Sequence, residues 1–392
     1  MHAHFTSTIE FQMSLLLFVA LAGYLLAMRT KQSVSVGAIL AGLLMGPSFF
    51  GLITYTDFVQ SIAHIGAIIL LFVIGFEFKT KDIFNIRYGF IALSGVIVPW
   101  IGGYWTAKVF GYNFANAVFI GTALTATSIA ITANVLKEMG KLQTEAARAI
   151  IGAAVIDDVL GLLALSLSKQ MVGGTLSLGA VIVPGINAVL FLVIGIYVGQ
   201  KFLSRLIERV DQAPISQKYP EFIFIFVMTI AFVYSMAAEM LNLSAIVGAF
   251  IAGISFSGVV LRHSKNFKEG AEYMNIIFSS IFFVSLGILV DIHVVTPGVL
   301  WFLCVLTIVA IATKLAGCFF SAKWQGMSTR EAMVVGFGMA PRGEVAMIIG
   351  LVGLNQNLIT HEIYAAIIFM SLITTIVTPI VLRNCFINDK SE

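Results

Sequence analysis

Charge is what this sequence has least of. Of 392 residues, 11% are Asp, Glu, Lys or Arg, while 59% are hydrophobic. An ordinary soluble domain is roughly 45–50% apolar and about 25% charged. At a mean hydropathy of +0.99, the chain has too few charges to keep so much apolar surface in water. A soluble enzyme, a nucleic-acid binder and a disordered chain are excluded on that ground. Cysteine is scarce too. Cys304, Cys318 and Cys385 lie in or beside apolar runs, and an odd number there is no disulfide framework. A Ser/His/Asp or Cys/His set, zinc-ligand spacing and a phosphate loop are all missing. Glycines 336, 338 and 343 follow no strand, so they make no dinucleotide fingerprint. The first twenty residues carry neither a basic n-region nor a small-residue cleavage site, and the N-terminus reads as a retained span.

The sequence is instead made of long apolar runs. They fall at about 11–28, 33–51, 58–77, 88–108, 114–136, 146–168, 176–200, 219–239, 243–261, 273–291, 297–320, 329–354 and 361–384. Most match the ~20 residues that a membrane helix needs. Backbone groups in lipid must be satisfied internally, and the ten-residue alternation of a membrane barrel is absent, so the runs predict helices. They leave no room for a soluble domain of ~100 residues. The expected fold is an all-α polytopic membrane protein with 13 transmembrane helices.

The basic residues set the orientation. With the N-terminus outside and the C-terminus inside, nineteen of the 23 Lys and Arg residues lie in inside loops, from Arg29 and Lys31 through Lys137 and Lys141 to Arg383 and Lys390. Only Lys108 and Lys169 fall at outside edges, and Lys314 and Arg342 fall within spans. That bias is what the positive-inside rule demands. Spans 1–6 start outside and spans 8–13 start inside, which predicts two inverted six-helix repeats, a common transporter plan with its site at the midplane. The repeat rests on topology, since the halves share no visible sequence identity. The knot at 201–218, with Pro214, reads as the linker between them.

Ionisable groups at mid-membrane cost about 2.5–3.5 kcal/mol each on insertion scales and are functional hypotheses by default. Asp157 and Asp158, in GAAVIDDVLG, lie near the middle of span 6. Adjacent residues on a helix point about 100° apart, so one carboxylate can face a partner and the other a cavity. A carboxylate poised this way can hold a proton or a cation. Lys314, in IVAIATKLAGC, reaches the same layer and is the expected counter-charge; snorkelling is the alternative. In GFGMAPRGEVAMIIG, Pro341 and Gly343 predict a discontinuous helix in span 12. Arg342 and Glu344 flank that break, either balancing half-helix ends or forming a local pair. Span 5, GTALTATSIAITAN, puts the hydroxyls of Thr122, Thr125, Thr127, Ser128 and Thr132 in one helix. They suit either opened backbone and a hard cation or close helix packing. Weaker signals are Glu77 near the inside surface, a structural His64, Glu239 at the outside edge, and the Gly42–Gly46 spacing of a close helix contact, with a dimer seam as one possibility.

The segments ILLFVIGFEFK, GTALTATSIAITANVLKEMGKL, GAAVIDDVLGL, TKLAG and GMAPRGEVAMI together resemble the monovalent cation:proton antiporter-2 family, the Kef-type and NapA-like sodium/proton antiporters. The resemblance covers essentially the whole chain. It implies an NhaA-like antiporter fold in which spans 5 and 12 are broken and cross at the midplane. It further implies a core ion-transport domain (88–168 and 297–384), a dimerisation domain (11–77 and 219–291) and a linker helix (176–200). Asp158 is the implied main Na⁺ and proton carboxylate. Asp157 is its partner, paired with Lys314, and Thr127 and Ser128 lie in the unwound stretch. The implied activity is electrogenic sodium/proton antiport by alternating access, with Li⁺ or K⁺ as other cations. A potassium/proton antiporter or Kef-like potassium efflux system is the alternative. No cofactor is expected beyond the transported ions, nor a nucleotide-binding regulatory domain after span 13. A homodimer in the plasma membrane is the expected assembly. An intramembrane aspartyl protease is disfavoured because its two carboxylates would sit on separate helices; a passive channel and an organic-ion transporter are the other rivals.

Overall fold

A computed structural model describes residues 8–80, 85–174, 177–219, 221–257, 259, 261, 267–294 and 297–387. Lys81, Arg262, Lys265 and Lys390 of the inside loops lie outside the described residues. Among the described residues all regular structure is helical. In chain order the α-helices are α1 (Ile9–Thr30), α2 (Val34–Met45), α3 (Asp57–Gly75), α4 (Ile86–Val109), α5 (Phe114–Thr125), α6 (Ile129–Glu138), α7 (Glu145–Gly173), α8 (Leu178–Val198), α9 (Ser204–Gln212), α10 (Pro214–Lys218), α11 (Glu221–Met240), α12 (Ala245–Phe256), α13 (Phe267–Ile288), α14 (Pro297–Trp324), α15 (Thr329–Gly338), α16 (Glu344–Asn355) and α17 (His361–Ile387). Counting α5–α6 and α8–α9 as single passages, ten helices among the described residues are long and apolar enough to cross a membrane. Three shorter apolar helices, at 34–45, 245–256 and 344–355, accompany them. The protein is therefore a multi-pass membrane protein.

Polar punctuation starts these helices. Thr8, Ser33, Thr56, Asn113, Thr144 and Ser328 each accept a backbone N–H of the first turn on a side-chain oxygen, which satisfies donors that the helix leaves unpaired. Two runs differ from their sequence reading. The run at 33–51 is helical only over Val34–Met45, about 18 Å of rise. Past Gly46 the chain turns, and the Ser48 hydroxyl donates to the Val290 carbonyl at 2.6 Å. The knot at 201–218 is helical rather than a loop. A π turn at Gly199–Leu203 carries α8 directly into α9, and Ala213 alone separates α9 from α10.

Side-chain contacts gather the helix ends into two sets. Glu138 meets Val34 and Ser35, Lys137 meets Glu272, and Gln143 meets the Glu77 carbonyl, on what is called here the basic face. At the other ends of α2, α3 and α13, Ser48 meets the Val290 carbonyl, Thr56 meets Gln12 and His64 meets Glu239, on the opposite face. The helices pack as two groups. One joins α1, α2, α3, α11, α12 and α13; the other joins α4–α7 with α14–α17. Helix α8 lies against α7 on one side and against α11 and α12 on the other. Direct packing between the groups runs chiefly through α6 and α17 against α2 and α3.

Within each group, glycines let backbones touch. A Cβ on Gly42 would lie 2.1 Å from the Val284 carbonyl oxygen, and one on Gly66 would lie 2.1 Å from that of Phe278. The Gly42 contact is thus made inside the chain, between α2 and α13. In the second group a Cβ on Gly121 would meet the Trp100 carbonyl oxygen at 2.7 Å. Among the described glycines, none makes such an approach from one group to the other. These glycines bring backbones together within each group and not across the boundary between them.

This packing has a measurable consequence. Gly66→Val forces a branched side chain into the Phe278 carbonyl, an overpacking worth about 1–3 kcal/mol, and should lower the melting temperature of the purified protein by several degrees. Gly89→Ala, where a Cβ meets nothing within 4 Å, should leave it unchanged or raise it, as alanine is the better helix former by ~1 kcal/mol.

Candidate functional site

Two passages lose their helical backbone deep inside the second group. The first opens between Thr125 and Ile129. Ala126 and Ser128 are extended there, although neither glycine nor proline interrupts the run. The second opens after Gly338, where Pro341 has no N–H to donate and keeps Ala340 out of the helical region. The two open stretches lie against each other. Ser128 N donates to the Pro341 carbonyl at 2.9 Å. Thr127 Oγ1 donates to the Met339 carbonyl at 3.4 Å, and Thr132 Oγ1 to that of Gly338 at 2.6 Å. A Cβ on Gly343 would sit 2.6 Å from Ser128 Oγ and 2.8 Å from Ser128 Cβ, so the absence of a side chain there lets the two open stretches come close.

A half-helix that stops inside the protein leaves carbonyls unpaired and a partial negative charge at its C-terminus. Two cations answer that of α5. Lys314, on α14, donates Nζ to the Thr125 carbonyl at 2.7 Å. Arg342 donates Nη2 to Leu124 O at 2.8 Å and to Ala310 O at 3.0 Å, and Nη1 to Ala340 O in the open stretch after α15. Both side chains have 0% exposure, so their charges are held wholly by protein groups. Helix α17 completes the frame: Thr374 Oγ1 accepts Arg342 N–H at 3.2 Å, and Thr375 Oγ1 donates to Arg342 O at 2.7 Å. Arg342 therefore serves carbonyls and not a local pair with Glu344.

The two aspartates part as the helix geometry requires. Asp157 is 1% exposed and its Oδ1 lies 3.1 Å from Lys314 Nζ, with Oδ2 at 3.4 Å. Asp158 lines a cavity of about 520 Å³. Glu344, in the first turn of α16, lines the same cavity. A carboxylate at that end is favoured by the helix dipole. Towards the opposite face the cavity is bordered by Tyr55, His64, Glu239 and Tyr364, and His64 Nε2 lies 3.3 Å from Glu239 Oε1. One carboxylate is thus buried against a lysine, and its neighbour borders a cavity.

Asp157, Asp158, Lys314, Thr125, Thr127, Ser128, Thr132, Arg342 and Glu344 lie at or beside this crossing, whereas the Thr122 hydroxyl bonds to Ser168 and Gly42 and Gly46 pack on α13 in the first group. Glu77 also lies apart from it: its side chain is exposed near the basic face, and its carbonyl accepts from Gln143. Sequence reasoning missed Thr374 and Thr375. Their signal was a pair of hydroxyls inside an apolar span, the same signal that marked Thr127 and Ser128. The carbonyls of Leu124, Thr125 and Ala310 carry no side-chain signal at all.

Removing one partner of a buried pair strands the other, at about 3–5 kcal/mol. Lys314→Met should therefore destabilise the purified protein strongly. The double variant Asp157→Asn/Lys314→Met should be more stable than Lys314→Met alone, as read by thermal melting.

The chain as a whole is similar to known proteins. The chain is 32% identical to the Na(+)/H(+)-K(+) antiporter GerN of Bacillus cereus, over 96% of both chains. It is 33% identical to a Na(+)/H(+) antiporter of Enterococcus hirae, over 89% of this chain and 90% of that one. It is 32% identical to the high-affinity Na(+)/H(+) antiporter NhaS3 of Synechocystis, over 86% of this chain and 73% of the relative. Two structures of the sodium proton antiporter MjNhaP1 from Methanocaldococcus jannaschii share its fold. They have TM-scores of 0.68 and 0.73 at 17% and 15% identity, and cover 96% and 97% of this chain and 95% and 97% of theirs. The model of the family described as "Sodium/hydrogen exchanger, transmembrane" matches residues 15–387, and the chain belongs to that family.

Proposed function

We propose that this sodium/proton antiporter of the cell membrane works by letting Na⁺ and protons compete for Asp158, beside an Asp157–Lys314 pair that switches with it. The observation that carries the reading is the division of the aspartates: Asp157 is buried against Lys314, while Asp158 borders the cavity. The chain makes thirteen passes in an NhaA-like fold, N-terminus outside, with the basic face inside and two inverted six-helix repeats crossing at the broken passages. The group holding α4–α7 and α14–α17 is the core ion-transport domain. The group holding α1–α3 and α11–α13 is the scaffold through which two copies dimerise. Helix α8 links them. Glycine contacts that join backbones within each group, and not across the boundary among the described glycines, support their sliding as bodies.

In the cycle, a cation entering from the cavity displaces the proton of Asp158 and is coordinated there, with Thr127 and Ser128 of the opened backbone supplying oxygens. The cation draws Asp157 away from Lys314, which releases a proton in turn. The exchange moves more protons than cations and is electrogenic. A loaded site is close to neutral and crosses the apolar barrier; unpaired carboxylates are too costly to move, which suppresses leak. Arg342 stays fixed as the charge that holds the half-helix ends.

Purified protein in proteoliposomes tests this. Asp158→Asn should abolish Na⁺-driven proton movement, and retention of the normal rate would overturn the assignment. Lys314→Met should make exchange insensitive to an imposed voltage; unchanged voltage dependence would remove the lysine from the proton count. A potassium/proton exchanger is the second reading, favoured by the Na(+)/H(+)-K(+) name of GerN. Proton flux driven by Na⁺, Li⁺, K⁺ and Rb⁺ in turn separates the two.

A further inference from the structure

The cavity reaches the site from one face; on the basic face the same two groups are bonded shut. The bonds concentrate at the last turn of α6. Lys137 Nζ donates to Glu272 Oε2 on α13 at 2.6 Å. The next residue, Glu138, accepts the Val34 backbone N–H on Oε2 at 3.0 Å and the Ser35 hydroxyl on Oε1 at 3.3 Å. Asn134, one turn earlier, donates to Glu138 Oε1 at 2.8 Å and to Ser35 Oγ at 2.7 Å. Ser35 and Asn134 are buried.

The placement of Glu138 is informative. A carboxylate at the C-terminal end of a helix opposes that helix's own dipole. Glu138 ends α6, so it costs α6 stability. What it does favour is the N-terminus of α2, where Val34 and Ser35 present the free donors of a first turn. An anion at one helix end is therefore answered by the other helix group, and so is the neighbouring cation, Lys137. Both bonds cross the boundary that must open when the site turns to the basic face.

Resting on the alternating-access reading above, we infer that Lys137 and Glu138 form a two-part latch that holds the basic face shut and sets the share of molecules open to the opposite face. They are positioning residues: they act on the site through the position of α6, whose other end carries the opened backbone at Ser128. Each transport cycle must break the Lys137–Glu272 pair and withdraw Glu138 from α2. Weakening either shifts the population towards the state open at the basic face, without changing the groups that hold the ion.

The test is cavity access, which needs no transport. Leu162 lines the cavity close to Asp158, so Leu162→Cys reports its opening to a membrane-impermeant maleimide applied at the cavity face. The reporter is placed in a chain with Cys304 and Cys385 replaced by serine. Labelling should slow several-fold in both Lys137→Glu and Glu138→Gln. It should recover in the charge-swapped pair Lys137→Glu/Glu272→Lys, an outcome that mere loss of packing does not give. The apparent KM for Na⁺ at the cavity face should rise and fall in step. Labelling at the parent rate in both single variants, or no recovery in the swapped pair, would overturn the latch. Absence of Na⁺-driven proton flux in the parent protein would instead sink the antiport reading and leave the labelling result standing.

Discussion

Two half-helices end inside this protein, and the charge of Lys314 and Arg342 is what makes those ends tolerable. Open backbone surrounded by lipid or apolar side chains costs several kcal/mol per unpaired group. Here the carbonyls of Leu124 and Thr125 are taken by Arg342 and Lys314, and that of Ala340 by Arg342. Two fully buried cations would in turn be prohibitive without those dipoles. Each answers the other's cost. Because Lys314 also reaches Asp157, the same device fixes the first aspartate and leaves the second without a buried counter-charge. The ion chemistry proposed for Asp158 follows from this asymmetry.

The same asymmetry appears at the scale of the helices. The cavity at Asp158 and Glu344 is bordered by Tyr55, Asn242 and Tyr364, while α6 is bonded to α2 and α13 through Glu138 and Lys137. The two groups are each held together for a local reason, the glycine contacts of α2 with α13 and of α3 with α12 and α13 in the first, and of α4 with α5 and α14 in the second. They are separable for an equally local one, since no such contact joins them among the described glycines. Alternating access needs both properties. The long helix that runs from Leu178 to Gln212 touches both groups and can follow either.

Much of this was legible in the sequence, and the gaps have physical causes. The apolar runs locate the helices because lipid allows few alternatives to a helix. Asp157, Asp158, Lys314 and Arg342 stand out because intramembrane charge is expensive. The break at Pro341 is visible because proline lacks a donor. The break at Ala126–Ser128 is not visible, since Ala, Thr and Ser all continue a helix locally. It is imposed from outside, by cations of α14 and of the segment after α15 that capture the end of α5. The loop expected at 201–218 is helical because its charges, Arg205, Glu208 and Arg209, are compatible with an amphipathic helix leaving the membrane, and polarity alone does not distinguish that from a turn. The partnership of Glu138 with α2 spans 104 residues of sequence and leaves no local mark.

The most direct measurement is proton release on cation binding. Na⁺ is added to the purified, weakly buffered protein and the pH is recorded, with Asp158→Asn alongside. If Na⁺ and protons share Asp158, the addition acidifies the parent sample in proportion to site occupancy and leaves the variant unchanged. Saturable Na⁺ binding with no proton released, or equal release from the variant, would contradict the account.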